Sequence, residues 1–245
     1  MAQNTGNAKN ILVGASPLFI SNLDVTSGTS YKENAEPGTT DAGAFVSGES
    51  YTDTLNAVTP GSTFAYRNVG FTNNGLQITY NPTYDSVTVD QLLDTAKLFK
   101  SAMEVMIATE MSEGTLENVL VVFGQGDTTG STLSATNTLI EDAGFGTGTA
   151  NSTKTLGLAA GALGAKPTER QLIAVGQAPS TTNGTNNKTT ERIYYARRVL
   201  SVQQSQFSLA RAQATTFPVT FRLLPTAMSG YEGQEYGKII DRVLA

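Results

Sequence analysis

Apolar and polar residues alternate with a period of two in several short stretches of the chain, which is the pattern of a half-buried β-strand. Leu76, Ile78 and Tyr80 alternate with polar neighbours in this way, directly after the sequence Asn73-Asn74-Gly75. An Asn-Gly pair favours positive φ at both residues, so a tight hairpin turn is predicted there. Further strands are predicted over Asn10–Ser21, Phe64–Thr72, Met103–Ala108, Gln171–Val175, Ile193–Val202 and Thr215–Leu224.

Helical periodicity is confined to three short segments. Asp90 is placed to cap a helix over Gln91–Ala102, whose apolar residues fall on one stripe. A second helix is predicted over Thr115–Phe123, where the following glycine is suited to close it. A third helix is predicted around Gly237–Leu244. The helices are few, and the strands dominate the pattern.

Two long polar tracts, at about 24–62 and 125–168, interrupt these elements. Loops longer than ~15 residues are uncommon in compact domains unless they are functional or disordered. We therefore interpret the chain as one domain over residues 1–245 with two long loop insertions that acquire structure between subunits. The second tract fits a small inserted subdomain as well as it fits a loop.

Roughly seven to nine strands with two or three short helices predict a mainly β fold with minor α content. The arrangement that fits best is two packed β-sheets, as a sandwich or a partly open barrel, with a flanking helix. Pro218 cannot donate a ladder hydrogen bond, so its strand is predicted to lie at a sheet edge, where another subunit can pair. Contacts between subunits are predicted for Arg197, Arg198, Phe217 and Pro218.

The amino-acid composition restricts the possible chemistry. The 245 residues include no cysteine, histidine or tryptophan, which excludes Ser-His-Asp and Cys-His catalytic sites and removes the usual transition-metal ligands. No apolar run approaches the ~20 residues that span a bilayer. We expect no enzymatic activity, no cofactor, no metal and no membrane association. The candidate carboxylates for an acid/base pair or a calcium site are Asp85, Asp90, Asp94, Glu110, Glu113 and Glu117.

Charge is unevenly distributed along the chain. Residues 1–123 hold 13 acidic and 5 basic side chains, whereas residues 124–245 hold 8 acidic and 11 basic ones, for a net charge of −5. This asymmetry either attracts one end of a subunit to the other end of a copy, or reflects an incidental surface distribution. An acidic protein of this kind is poorly suited to tight binding of nucleic acid.

A set of segments, in order, resembles the major tail (tail tube) proteins of long-tailed bacteriophages. The first segments are YRNVGFTNNGLQITYNPTYDSVTVDQLLDTAKLFKSAMEV at 66–105 and TLENVLVVFG at 115–124. The likeness continues through ERQLIAVG, ARRVLSV and ATTFPVTFRLLP. With the N-terminal NILVGASPLFIS, these segments cover about half of the chain.

The resemblance implies a tail-tube-like fold of two packed sheets with a flanking helix, and a structural role in the virion. Subunits of this family form hexameric rings that stack into a tube, through which DNA passes. The expected partners are other copies of the chain, the tape-measure protein, the tail terminator and distal tail proteins. Some family members carry a C-terminal immunoglobulin-like domain, which we do not expect here.

The polar faces of the strands suggest which residues line such a tube. Gln77, Thr79, Glu104 and Glu110 are predicted to face the lumen, because neutral or acidic polar walls do not hold phosphates. Two alternatives remain open at the level of the sequence. One is another self-assembling virion protein, such as a tail terminator or a capsid decoration protein, and the other is a carbohydrate-binding β-sandwich module.

Overall fold

Ten strands and two short helices form the regular structure of the described part of the chain, as seen in a computed structural model. They are β1 (Leu18–Ser21), α1 (Tyr51–Ala57), β2 (Tyr66–Asn68), β3 (Thr72–Thr88), β4 (Thr95–Met111), α2 (Leu116–Val122), β5 (Ile140–Asp142), β6 (Lys154–Leu156), β7 (Arg170–Gln177), β8 (Thr190–Ser201), β9 (Phe217–Leu223) and β10 (Gly237–Val243). The structure describes residues 12, 14, 16–21, 35–40, 42–57, 66–88, 90, 94–125, 140–142, 148, 150–158, 163, 167–179, 190–202, 206–209, 211 and 214–244.

Eight of these strands form one antiparallel sheet that is not closed into a barrel, so the predicted mainly β class with minor α content is confirmed. The strand order is β2-β1-β7-β8-β9-β4-β3, and β10 joins along β8. One edge of β8 pairs with β7. Its other edge is shared, because Thr190–Ala196 pairs with β10 and Val199–Ser201 pairs with β9. The sheet therefore forks at β8.

The first hydrophobic core lies between two parts of this sheet. Leu18 of β1 and Leu172 of β7 belong to the same buried cluster as Ile107 of β4 and Phe221 of β9. Strands that are distant in the ladder thus pack face to face, which gives the fold its sandwich-like form. Helix α2 flanks this core with two buried valines. Burial of a side chain of this size contributes about 1.5–3 kcal/mol.

A second core lies on the opposite face of β1 and β7. Phe19 and Ile173 share a buried cluster with Tyr51 and Leu55, which come from the segment 35–57. We call residues 35–57 the strap; it includes α1, and all of its residues except 41 are described. Because β1 and β7 are covered on both faces, their sequences are continuously apolar or buried rather than alternating.

The strap corrects one sequence prediction. The tract at 24–62 was expected to reach towards neighbouring subunits, but residues 35–57 pack against the sheet of their own chain. A few apolar residues separated by glycine and threonine are enough to cover a flat sheet face, and they leave no periodic pattern. Residues 24–34, 41 and 58–62 lie outside the described residues.

The predicted helix over Gln91–Ala102 is wrong, because β4 begins at Thr95 and pairs with β3 as far as Met111. Apolar residues spaced for a helix stripe here belong to a long strand instead. Pairing with a strand of equal length provides backbone hydrogen bonds that the local periodicity does not reveal. Residues 91–93 lie outside the described part of the chain.

The predicted turn at Asn73-Asn74-Gly75 is a bulge within β3 rather than the end of a hairpin. Asn74 and Gly75 have φ of 60° and 66°, so the positive φ expected of an Asn-Gly pair is present. The register against β4 shifts between Asn73 and Gln77. The Asn-Gly pair therefore bends a strand that continues past it.

At the C-terminal end, the helix predicted around Gly237–Leu244 is also wrong, because β10 occupies this segment and pairs with β8. The edge position predicted for Pro218 is wrong as well, since β9 lies between β8 and β4. The β8 ladder nevertheless ends near Thr220, whose carbonyl accepts from Val202. Pro218 thus lies where its missing N–H costs little.

Several predicted elements are confirmed. The helix predicted over Thr115–Phe123 corresponds to α2, which is followed by Gly124 at φ 67° as the sequence predicts; Thr115 is its cap rather than its first residue. The strands predicted from Gln171, Ile193 and Thr215 correspond to β7, β8 and β9. The strand predicted over 10–21 is shorter, because β1 covers only its last four residues; residues 10, 11, 13 and 15 lie outside the description.

The second polar tract contains a small sheet of its own. Strands β5 and β6 pair antiparallel over three residues each. Lys154 of β6 forms an ion pair with Glu117 of α2, at 2.5 Å. Most of the tract at 125–168 lies outside the described residues, so its predicted character as loop or subdomain stays a prediction.

Candidate functional site

The most exposed feature of the structure is the hairpin formed by β3 and β4, each 17 residues long. Strand β9 pairs with β4 only over Met106–Met111. Within the described residues, 79–88 and 95–105 therefore have no other strand beside them, and we call these residues the distal hairpin. At ~3.3 Å per residue, the distal hairpin extends roughly 33 Å from the body of the sheet.

One face of the hairpin continues the first core outward. Tyr80 is paired with Val105, and Ile78 with Ile107, so these side chains share the face that is buried at the base. Tyr84 follows on the same face by strand alternation. Farther out this face is exposed: the exposed fractions are 47% for Ile78, 65% for Tyr80, 59% for Tyr84 and 65% for Leu98.

We call this surface the apolar face of the hairpin. It consists of aliphatic and aromatic side chains in a row, interrupted by Lys100, which is paired with Tyr84, and by Ser86, which is paired with Leu98. Scattered apolar residues on a surface are normal, whereas a contiguous row on a projecting element marks an interaction site. The apolar face is the strongest candidate for a functional surface in the described part of the chain.

The opposite face of the hairpin is polar, and the structure brings the four predicted lumen residues together on it. Glu104 and Glu110 alternate with the buried residues of β4, and thus point away from the core. Gln77 and Thr79 lie on the same face, because their register partners are Ala108 and Met106. Whether this face lines a lumen stays a prediction.

Charges on the polar face are partly neutralised within the chain. Glu110 accepts hydrogen bonds from the side-chain amides of Asn74 at 2.9 Å and Asn73 at 3.3 Å. Glu104 lies 3.7 Å from Arg222 of β9. Near the base the face therefore presents amides, hydroxyls and an ion pair rather than a concentrated field of one sign. Farther out it also carries Val87 and Phe99, which expose 43% and 45% of their surface.

The base of the hairpin is fixed by a buried amide. Asn118 of α2 is fully buried; its Nδ2 donates to the carbonyl of Val69 at 2.9 Å and to that of Glu113 at 2.8 Å. Its Oδ1 accepts from Arg67 at 2.6 Å. Burial lowers the pKa of Arg67, partly offset by the nearby carboxylates of α2 and the loop before it. The Asn118 side chain thus connects α2 to the segment before β3 and to the segment after β4.

Sequence reasoning missed Asn118, because a polar residue next to Glu117 in the run LENVLVV looks like an exposed helix position. It also missed the buried Glu191 and the partly exposed Glu36 as structural residues. Isolated carboxylates in polar tracts give no signal of burial. Packing of the strap brings Glu36 to its basic partners, and the pairing of β10 with β8 places Arg242 opposite Glu191.

Open backbone edges accompany these faces. In the part of the chain that the structure describes, β2, β3 and β10 each have a strand partner on one side only. The outer edge of β3 is the longest of the three, since β3 spans 17 residues. Such edges carry unpaired N–H and C=O groups that can pair with another chain.

Three of the residues predicted to contact another subunit are engaged within their own chain. Arg197 is completely buried and binds Glu36. Arg198 forms an ion pair with Glu169 at 2.7 Å, and Phe217 lies in the first core. Pro218 lies half-buried on β9, in register with a residue of the polar face. The geometry therefore favours the hairpin over these residues as a contact surface.

The candidate acid/base carboxylates do not form a pair. Glu113 accepts from the backbone N–H of Phe71 at 3.0 Å, while Glu117 binds Lys154. Burial would raise the pKa of Glu117, but the hydrogen bond and charge of Lys154 hold it below its ordinary value. Among the described residues, no three carboxylate, histidine or cysteine side chains gather as they would around a metal ion.

Comparison with known proteins adds no assignment. Among the described residues, no helix has the length and apolar character needed to cross a membrane. No protein-family model matches the chain, and a search of curated proteins finds no match to its sequence. The surfaces described above are therefore the basis on which function is inferred.

Proposed function

We propose that this chain is a structural subunit that assembles with copies of itself into a tube, as tail-tube proteins of long-tailed phages do. It carries out no reaction, and it resides in the virion. The observation that carries the proposal is the distal hairpin, which presents an exposed apolar face and a polar face on opposite sides of one two-stranded ribbon.

An exposed apolar ribbon is unfavourable in an isolated protein, but it supplies a contact surface in a subunit that assembles. Tyr80, Tyr84 and Leu98 each expose more than half of their surface. In a ring these side chains are covered by the neighbouring copy, and the released water stabilises the assembly. The open edge of β3 adds backbone hydrogen bonds in the same contact.

The polar face supports a role as a conduit wall. When the apolar face is turned towards a neighbour, the opposite face, with Gln77, Thr79, Glu104 and Glu110, is turned towards the inside of the tube. Amides and hydroxyls leave DNA hydrated, and carboxylates repel its phosphates. The net charge of −5 favours passage over binding. Six subunits per ring is the number implied by the family that the sequence resembles.

Electron microscopy of the purified chain tests the proposal. Long hollow tubes, or rings that stack end to end, are the expected result. Closed single rings would favour a tail terminator, and trimers would favour a capsid decoration protein. A protein that stays monomeric at every concentration tested, in velocity sedimentation and in micrographs, would reject self-assembly.

One observation favours a second candidate, a carbohydrate-binding module. Tyr80 and Tyr84 are exposed on the same face, and flat aromatic rings of this kind can stack on sugar rings. A glycan array distinguishes the two functions. Clear and selective glycan binding by a monomer, lost when both tyrosines are replaced by serine, would support the module and displace the assembly proposal.

A further inference from the structure

The strap is held on the sheet by side chains rather than by a β-ladder. Within the described residues, one backbone hydrogen bond joins it to the segment after β10, from Gly48 to the carbonyl of Leu244. The Tyr195 hydroxyl donates to the carbonyl of Ala35 at 2.6 Å. The other polar attachments converge on two carboxylates, one near each end of the strap.

The first carboxylate is Glu36, at the start of the strap. It accepts from Arg197 of β8 and from Lys238 of β10. The guanidinium of Arg197 is completely buried, lies 3.9 Å from the ring centre of Tyr231, and donates from Nε to the carbonyl of Gln234 at 3.1 Å. A buried cation of this kind depends on its carboxylate partner, because no water replaces it.

The second carboxylate is Glu191, which belongs to β8 and receives the other end of the strap. It accepts from the hydroxyl of Ser50 at 3.0 Å and from the backbone N–H of Tyr51 at 3.0 Å. Arg242 of β10 donates to Glu191 at 2.9 Å and to the carbonyl of Glu49 at 3.0 Å. The same guanidinium stacks over the ring of Phe45, 4.7 Å from its centre.

Between these two attachments lies an apolar surface that the strap covers in the described part of the chain. Phe19, Ile173, Ile193 and Tyr195 are buried in the second core, and they come from three adjacent strands. Their strands keep all of their ladder partners without the strap, because β1, β7 and β8 pair with one another and with β2 and β10. Opening of the strap therefore exposes these apolar side chains without breaking any strand pairing of the sheet.

We propose that the strap is a latched cover that opens as a unit while the sheet beneath stays folded. Two carboxylate clusters hold the strap on the sheet: Glu36 with Arg197 and Lys238, and Glu191 with Arg242. Opening exposes the apolar surface of β1, β7 and β8. Exposure of this surface depends on charge, because neutralising either carboxylate removes the negative charge that lies against Arg197 or Arg242.

Hydrogen exchange read by mass spectrometry tests this inference in the full chain. In the native protein, amides of 42–57 are expected to exchange through a local opening, well before those of β7. Glu36→Gln keeps an acceptor but removes the charge, and it is expected to raise strap exchange on the order of 100-fold while β7 is unchanged. A hydrophobic dye is expected to bind the variant more strongly.

Controls separate latch opening from general destabilisation. Asp241→Asn removes the exposed ion pair with Arg192 on the same strand pair, which does not touch the strap, and it is expected to leave strap exchange unchanged. If Glu36→Gln fails to fold, Lys238→Met removes the partly exposed partner and is expected to give a smaller increase. Equal exchange of strap and β7 amides in all proteins would overturn the proposal, as would a strap that is insensitive to both variants.

Discussion

Replacing the two exposed tyrosines of the apolar face by serine is expected to weaken assembly strongly without destabilising the subunit. Tyr80 and Tyr84 expose 65% and 59% of their surface. An aromatic side chain offers roughly 200 Å² for burial, so about 120 Å² of each is available to a neighbour. At ~25 cal/mol per Å², full burial contributes about 3 kcal/mol for each side chain.

Not all of that free energy reaches the association constant. Ordering of side chains and incomplete burial oppose association. We therefore reduce the summed burial free energy of the two tyrosines by about half, to roughly 3 kcal/mol per contact. This corresponds to an increase of roughly 100-fold in the concentration at which subunits assemble. The folded subunit keeps its core, so its free energy of unfolding is expected to change by less than about 0.5 kcal/mol for each substitution.

Velocity sedimentation over a range of concentrations measures the first effect, and urea denaturation measures the second. The matched control replaces Gln77 and Thr79 by serine, which changes the same strand on its polar face. That control is expected to assemble like the native protein. Assembly of the double tyrosine variant at native concentrations, or equal loss in the control, would refute the assignment of the apolar face as the contact surface.

Three further predictions concern stability. Asn118→Ala leaves a guanidinium and two carbonyls without their partner and is expected to cost about 3–5 kcal/mol in urea denaturation; a cost below ~1 kcal/mol would contradict its role. Gly237→Ala places a Cβ 2.0 Å from the carbonyl oxygen of Tyr195, so it is expected to unpair β10, whereas Gly233→Ala meets no atom within 4 Å and is expected to cost only about 1 kcal/mol. Burial raises the pKa of Glu36, but its two cationic partners hold that pKa below 4.5. Glu36 is therefore expected to stabilise the strap above about pH 4.5, and this stabilisation is lost as the pH falls through the lower pKa of the folded protein. Exchange of strap amides across an acid titration measures the loss.

The sequence predicted the parts of the fold that local chemistry controls. The glycine that closes α2, the positive φ at Gly75 and the alternation in β9 all follow from residues a few positions apart. The sequence predicts helices over 95–102 and 237–243, where the structure has strands. The first pairs with the preceding strand of its own hairpin, and the second with β8, which is distant in sequence. In both cases strand pairing overrides the local pattern.

The polar face of the candidate site could be predicted from the sequence. Gln77, Thr79, Glu104 and Glu110 share a face because strand alternation is a local rule. The exposure of the apolar face was not predictable, because exposed and buried tyrosines look alike in a strand pattern. It depends on where β9 (Phe217–Leu223) ends beside β4, which that pattern does not indicate. The latch was hidden for the same reason, since Glu36 and Arg197 are far apart in the chain.

The fork at β8 has a mechanical consequence for the hairpin. In the described residues, β9 joins β8 through only three register pairs, from Val199 with Leu223 to Ser201 with Phe221. Side chains rather than backbone pairing hold the base of the hairpin, because Ile107 of β4 and Phe221 of β9 are buried in the first core. The direction in which the hairpin projects is therefore set by packing against β1 and β7 more than by the β8 ladder.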